Sequence, residues 1–326
     1  MTRFSRRTVL AGMAGSAALA GHQAGAKATR DTSDSAADDA IIAASPAVKE
    51  RLVAAQTAWK APPVITPARE GPIQLAETSL WHQDMGGTGE AVILLHAWTG
   101  SYAFWPYQQE ALAAAGYRVI SYSARGHYRS AAIDPDNPGT STGDLAALID
   151  ELGISRAHII GTAGGGLAAL DYALSRPGRV LSLTVSSSHM GIADPEFLEV
   201  GGKMVPRGVY GIDHAFSELG PSYRAANRPG TEAWKALEHL GWQGGPVRQK
   251  TETPNMFDRI AKIAVPALFI TGGADMMIPP ARMREVVARA PGSELVTVAE
   301  AGHSVSWEQP EAFNSVVLEH FWKHHA

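Results

Sequence analysis

Four short runs carry the groups that could do chemistry. Residues 157 to 166, AHIIGTAGGG, read as an apolar strand entering a tight glycine turn and then a helix. Glycines on both sides of one residue let the backbone turn a sharp corner and lift that residue's side chain above a sheet, the G-x-S-x-G device for presenting a nucleophile. The residue so presented is Ala163, whose side chain is a methyl group. Gly272-Gly273-Ala274-Asp275 ends a later apolar run, and Gly302-His303 ends the next. A carboxylate and an imidazole delivered to neighbouring strand ends can form an oriented general base. The fourth run is His96-Ala97-Trp98-Thr99-Gly100, with Trp105 beyond it.

The elements between these runs must bring them to one edge. From about Ile73 the pattern alternates, with strands expected at 91–97, 118–124, 157–163, 180–186, 267–271 and 294–298. Helices are expected at 104–115, 142–152 (capped by Ser141 or Thr142), 165–175, 281–290 and 310–323. Continuous apolar strands separated by helices predict an α/β fold with a mostly parallel, doubly wound sheet covered on both faces. In such sheets chemistry collects at the carboxyl ends of the strands, where all four runs lie. Residues 189–263 interrupt the alternation and hold Phe197, Tyr210, Phe216, Tyr223, Trp234, Trp242 and Phe257, with a helical stretch at 231–240.

In this order the runs resemble the alpha/beta-hydrolase superfamily, over residues 73 to 325 and in the manner of its capped esterases, enol-lactonases and C-C hydrolases. The most specific part is GGAD followed by AGH and then Trp307-Glu308-Gln309-Pro310-Glu311. Arg125-Gly126-His127-Tyr128-Arg129-Ser130 looks like the family's R-G-x-G-x-S turn, with Tyr128 in place of glycine. The resemblance implies a hydrolase core at 73–188 and 264–326, interrupted by a helical cap at 189–263. It implies that His303 is the general base and acid, that Asp275 orients it, and that the amides of Trp98 and Gly164 form an oxyanion hole. Trp98, Tyr102, Trp105 and Ser187 would meet substrate beneath an apolar roof of cap aromatics, where Arg207 or Arg224 could reach an anionic group. His96 would order the loop behind the oxyanion hole. The remaining histidines, His324 and His325 included, read as surface residues or helix-end charges without metal-ligand spacing. No cofactor and no metal is expected.

Ala163 departs from the family, because loss of the nucleophile in a serine hydrolase costs roughly a millionfold. Thr162 is no replacement, since adjacent side chains at a sharp corner diverge, and Ser186, Ser187 and Ser188 read as turn or pocket residues. Three accounts stay open. His303 and Asp275 could activate water or remove a proton directly over the oxyanion hole, on an ester, lactone, carbamate or similar activated carbonyl compound. The aminoacrylate hydrolases of pyrimidine breakdown, which have alanine at this corner, are the family's precedent. The serine of an ordinary esterase or lactonase could have been exchanged for alanine to trap substrate. The domain could instead be a catalytically silent ligand binder.

Ser5-Arg6-Arg7-Thr8-Val9-Leu10, a small-residue apolar stretch and Ala24-Gly25-Ala26 read as a twin-arginine export signal over residues 1–26. That stretch is too short and too rich in Gly and Ala for a stable membrane anchor. Residues 27–44 read as a polar tether, 46–60 as an amphipathic helix with Val48, Leu52, Val53 and Trp59 on one face, and 61–72 as a proline-rich linker. Net charge is −4 over 326 residues, and removal of Arg3, Arg6 and Arg7 makes the remainder more acidic. A small molecule, not nucleic acid, is therefore the expected partner. With no cysteine, an exported chain must rely on its core.

Overall fold

The computed structural model describes residues 48–324, apart from 57, 205–207, 209, 210 and 246. The export signal, the tether, Arg207, Tyr210 and His325 lie outside the described residues. The strands are β1 (Glu50–Val53), β2 (Arg69–Gln74), β3 (Ser79–Asp84), β4 (Ala91–Leu95), β5 (Arg118–Tyr122), β6 (Ala157–Thr162), β7 (Val180–Ser186), β8 (Ala267–Gly272) and β9 (Glu294–Val298). They form one sheet in the order β1-β9-β8-β7-β6-β4-β5-β3-β2, antiparallel only at the β2·β3 and β3·β5 pairs. Every residue of β4, β6 and β8 is buried, as strands covered on both faces require. One apolar cluster, with Ile93, Ile159, Leu183 and Phe269, lies on one side, and a second, with Val92, Leu94, Ile270 and Phe313, lies on the other.

The helices flanking the sheet are α1 (Pro106–Ala114), α2 (Ser141–Glu151), α3 (Gly165–Ser175), α9 (Pro280–Val287), α10 (Val305–Glu308) and α11 (Pro310–Lys323). Between β7 and β8 lie α4 (Pro195–Met204), α5 (His214–Glu218), α6 (Pro221–Ala226), α7 (Arg228–Glu238) and α8 (Phe257–Ile260). The cap of α2 is Thr140, whose hydroxyl accepts from the Gly143 amide at 3.0 Å, and not Ser141 or Thr142. No helix among the described residues is long and apolar enough to cross a membrane.

The largest departure from expectation is at 46–72. Glu50–Val53 is a strand parallel to β9, not part of a helix, and Arg69–Gln74 is a strand rather than linker. Leu52 remains 75% exposed, so main-chain pairing, not an apolar helical face, holds the segment. The Glu50 carboxylate adds bonds to Arg284 and to the Thr297 hydroxyl. A strand edge that needs pairing is supplied by residues distant in sequence, and local periodicity does not report it.

Candidate active site

The corner after β6 has the strain its sequence predicts. Ala163 has φ of 45°, a left-handed conformation that costs a non-glycine residue about 1–2 kcal/mol. It is held by its amide donating to Ser186 O at 3.0 Å, and by its carbonyl accepting from Ser188 Oγ at 2.6 Å and from the Gly166 amide. Ser188, one of three serines read as turn or pocket residues, is thus a brace for the corner. The flanking glycines permit close approach: a Cβ on Gly161 would sit 2.6 Å from Gly165 O, and one on Gly165 2.3 Å from Leu95 O.

Asp275 and His303 meet as expected from their strand ends. His303 Nδ1 lies 2.9 Å from Asp275 Oδ2, and both residues are buried. The other carboxylate oxygen of Asp275 accepts the amides of Met277 and Ile278, which fixes its orientation. With Nδ1 donating to Asp275, the lone pair of neutral His303 is on Nε2. Burial pulls the imidazole toward neutrality, but the charge and hydrogen bond of Asp275, with Glu218 and Glu308 beyond, outweigh it and raise the pKa to about 9. At neutral pH the group is chiefly an imidazolium, ready to give a proton, and it becomes a base as pH rises.

Two carboxyl groups that sequence reasoning missed surround this pair. Glu308 is pushed up to about 8 by burial, although its carboxylate accepts the Gly220 and Gly302 amides. Glu218, in α5, is raised by burial and opposed by the charge of His303, and its carbonyl accepts the His303 amide at 2.7 Å. Glu308 stood within the WEQPE run; Glu218 had no local signal, because only the docking of α5 on the loop after β9 brings it to His303.

Trp98 and Gly164 lie close together: a Cβ on Gly164 would fall 2.9 Å from the Trp98 amide nitrogen. Among the described residues neither amide donates to a protein acceptor. Behind them, His96 Nε2 accepts the Ala124 amide, so its Nδ1 donates to Ala97 O at 2.7 Å. Burial and the neighbouring His127 push His96 down to about 3, which keeps it neutral. His127 Nε2 reaches the Trp98 carbonyl at 3.0 Å. The turn at Arg125 is anchored by its buried bidentate pair with Asp144. There Gly126 and Arg129 take positive φ and Tyr128 does not, so the family's glycine is dispensable at 128.

A cavity of about 10 Å³ is lined by Ala97, Phe104, Trp105, Thr162, Glu218, His303 and neighbours in α10, roughly the space of one water with several polar partners. A second, of about 90 Å³, is lined mainly by apolar groups with Trp98, Gly164, Arg125, His127 and Gln249. Trp98 and Trp105 therefore each face a cavity, whereas Tyr102 and Ser187 line neither. The Tyr102 hydroxyl faces Glu70 at 3.4 Å and its ring stacks on Tyr128. Ser187 is wholly buried with φ of 44°.

The cap aromatics do not form one roof. Tyr223 and Trp234 pack with Phe104, Tyr107 and Trp307, Trp242 lies on Trp98, and Phe197 packs edge-on with Phe257, the two rings lying under Arg282 and Arg289 of the α9 region. Phe216 is 48% exposed beneath Arg224, whose Nε donates to Leu219 O. Several histidines expected at the surface are buried: His82, His127, His158 and His320.

The family model described as "Alpha/beta hydrolase family" matches residues 92–316. The chain belongs to that family. It is 31% identical over 255 residues to the candidate carbamate hydrolase RutD of Caulobacter sp. (strain K31), covering 73% of this chain and 94% of that protein. It is 29% identical over 272 residues to a 2-hydroxy-6-oxononadienedioate/2-hydroxy-6-oxononatrienedioate hydrolase of Pseudomonas putida, covering 77% and 93%. Among solved structures, an esterase of Thermogutta terrifontis matches with TM-score 0.67 at 24% identity, covering 79% of this chain and 100% of that one. The enol-lactonase of Burkholderia xenovorans LB400 matches with TM-score 0.62 at 23% identity, covering 77% and 100%. These two structures support the shared fold, and the family's hydrolases make this chain a hydrolase-fold enzyme.

Proposed function

We propose that the protein hydrolyses a small activated carbonyl compound, an ester, lactone or carbamate, by direct attack of water and without a covalent intermediate. The observation that carries this reading is the buried His303–Asp275 pair, with His303 lining a water-sized cavity, in a chain whose strained corner after β6 carries a methyl group. In the proposed step His303 Nε2 takes a proton from water as the water oxygen bonds to the carbonyl carbon. The amides of Trp98 and Gly164 receive the negative oxygen. The imidazolium, stabilised by Asp275, then gives its proton to the leaving atom as the carbonyl re-forms and the bond to that atom breaks.

Base catalysis of this kind contributes about 10² to 10⁴, and each oxyanion donor about 10² to 10³, which suits substrates with good leaving groups. The name of one relative, a candidate carbamate hydrolase, supports that substrate class. The 90 Å³ cavity beside Trp98 and Gly164 suits a compact, mostly apolar acyl portion. The arginine pair and small-residue stretch at the start of the chain support export to the periplasm as part of the same reading. The test is turnover of a panel of small activated esters, lactones and carbamates by this chain and by His303→Ala. The reading requires activity that falls by at least about a hundredfold in the variant, and equal rates from the two proteins would refute it.

A further inference from the structure

At the opposite end of β9 from His303, three side chains converge that the reaction does not use. Glu294 begins β9, while His320 lies in the last turn of α11 and His324 is the residue that caps its end. One ligand atom from each lies within 4.8 Å of the other two. We infer that Glu294, His320 and His324 form a binding site for a divalent transition-metal ion of the zinc class, which clamps the end of α11 to the sheet.

The second observation is the state of His320. It is only 2% exposed, yet both its ring nitrogens lack a partner at hydrogen-bonding geometry, although the Pro266 carbonyl lies beside the ring. A buried imidazole without partners costs free energy that a bound ion would recover. A neutral imidazole offers the lone pair of one ring nitrogen to an ion. Its second nitrogen could then turn its N–H to Pro266, the usual arrangement for a metal-bound histidine.

Two imidazoles and one carboxylate suit zinc(II) better than calcium or magnesium, which prefer oxygen alone. Ligand bonds of about 2.0–2.2 Å place tetrahedral donors roughly 3.3–3.6 Å apart, so groups within 4.8 Å of one another need close by no more than about 1.5 Å. His324 is exposed, and its ring lies edge-on to that of His320 with centroids 4.9 Å apart. The cation now facing Glu294 is Lys323, at a loose 3.6 Å, and Lys323 has a closer partner in Glu319 at 2.9 Å. An arriving ion can therefore displace it. The fourth ligand position would open to water. Because Glu294 stands at the end of β9 remote from His303, the site would affect stability and leave turnover unchanged.

The experiment is calorimetric titration of Zn²⁺ into the full chain, expressed without an affinity tag and treated with chelator. One ion should bind per chain and raise the melting temperature. His324→Ala and Glu294→Gln, both at positions that reach solvent, should each weaken binding at least about tenfold, and His325→Ala should not. Circular dichroism of each variant checks that it is folded. Co²⁺ in place of Zn²⁺ should give the visible absorption of a tetrahedral site, lost in His324→Ala. Absence of one-to-one saturation, or equal binding by the folded variants, would overturn the assignment. So would loss of binding only in His325→Ala.

Discussion

Nδ1 of His303 stands 2.9 Å from Oδ2 of Asp275, with both residues buried and the carboxylate fixed by two further amides. That one contact sets the tautomer, the charge and the direction of the imidazole, and hence the pH at which it can take a proton.

If neutral His303 is the base, kcat/KM rises with pH and levels above about 9, its raised pKa. Removing the charge of Asp275 lowers that pKa. Asp275→Asn should therefore shift the rising limb about 1–3 units toward acid while lowering the plateau. A pH-rate profile of both proteins measures this, and an unmoved limb would place the titration elsewhere.

The same shift affects stability, with a definite sign. An imidazole whose pKa is about 9 when folded and near 6.5 when unfolded adds stability in full below pH 6.5, and loses it as pH rises through 9. Denaturant midpoints across this window should fall more steeply in the parent than in His303→Gln.

At the corner, φ of 45° makes Ala163 a strained residue whose strain glycine would relieve. Ala163→Gly should leave stability unchanged or raise it by up to about 1 kcal/mol, despite the added freedom of the unfolded chain. Urea unfolding is the check, and a loss of more than about 1 kcal/mol would show that the methyl packs usefully.

Ser188→Ala removes the 2.6 Å bond to the Ala163 carbonyl and the acceptor for the Met190 amide. The expected cost is about 1–3 kcal/mol, accompanied by reduced turnover as the Gly164 amide loses its fixed direction. Stability and rate measured on the same preparation would separate this from simple destabilisation, because conditions that restore folding should not restore the rate.

Much of this site was legible because its parts end strands with local signatures. The glycine corner, GGAD and GH each combine an apolar strand with a turn, and the helix at Gly165–Ser175 and strand at Glu294–Val298 begin and end where composition changes. What escaped had distant causes. Glu50–Val53 is a strand only because β9 offers an edge, and Glu218 faces His303 only because α5 docks on the loop after β9. Tyr102, close in sequence to Trp98, is turned by Glu70 and Tyr128 into a separate cluster. Proximity along the chain is a weak guide to which face of a cavity a ring will occupy.

The most direct test of water attack without a covalent intermediate is rapid mixing of the chain, in amounts comparable to substrate, with an activated ester such as 4-nitrophenyl acetate, followed by intact-protein mass measurement of quenched samples. The prediction is linear release of 4-nitrophenolate from the first turnover, with no acetyl group on the protein and with turnover lost in His303→Ala. A burst equal to the enzyme concentration, with an acetyl group found on Thr162, a serine or Glu218, would contradict it.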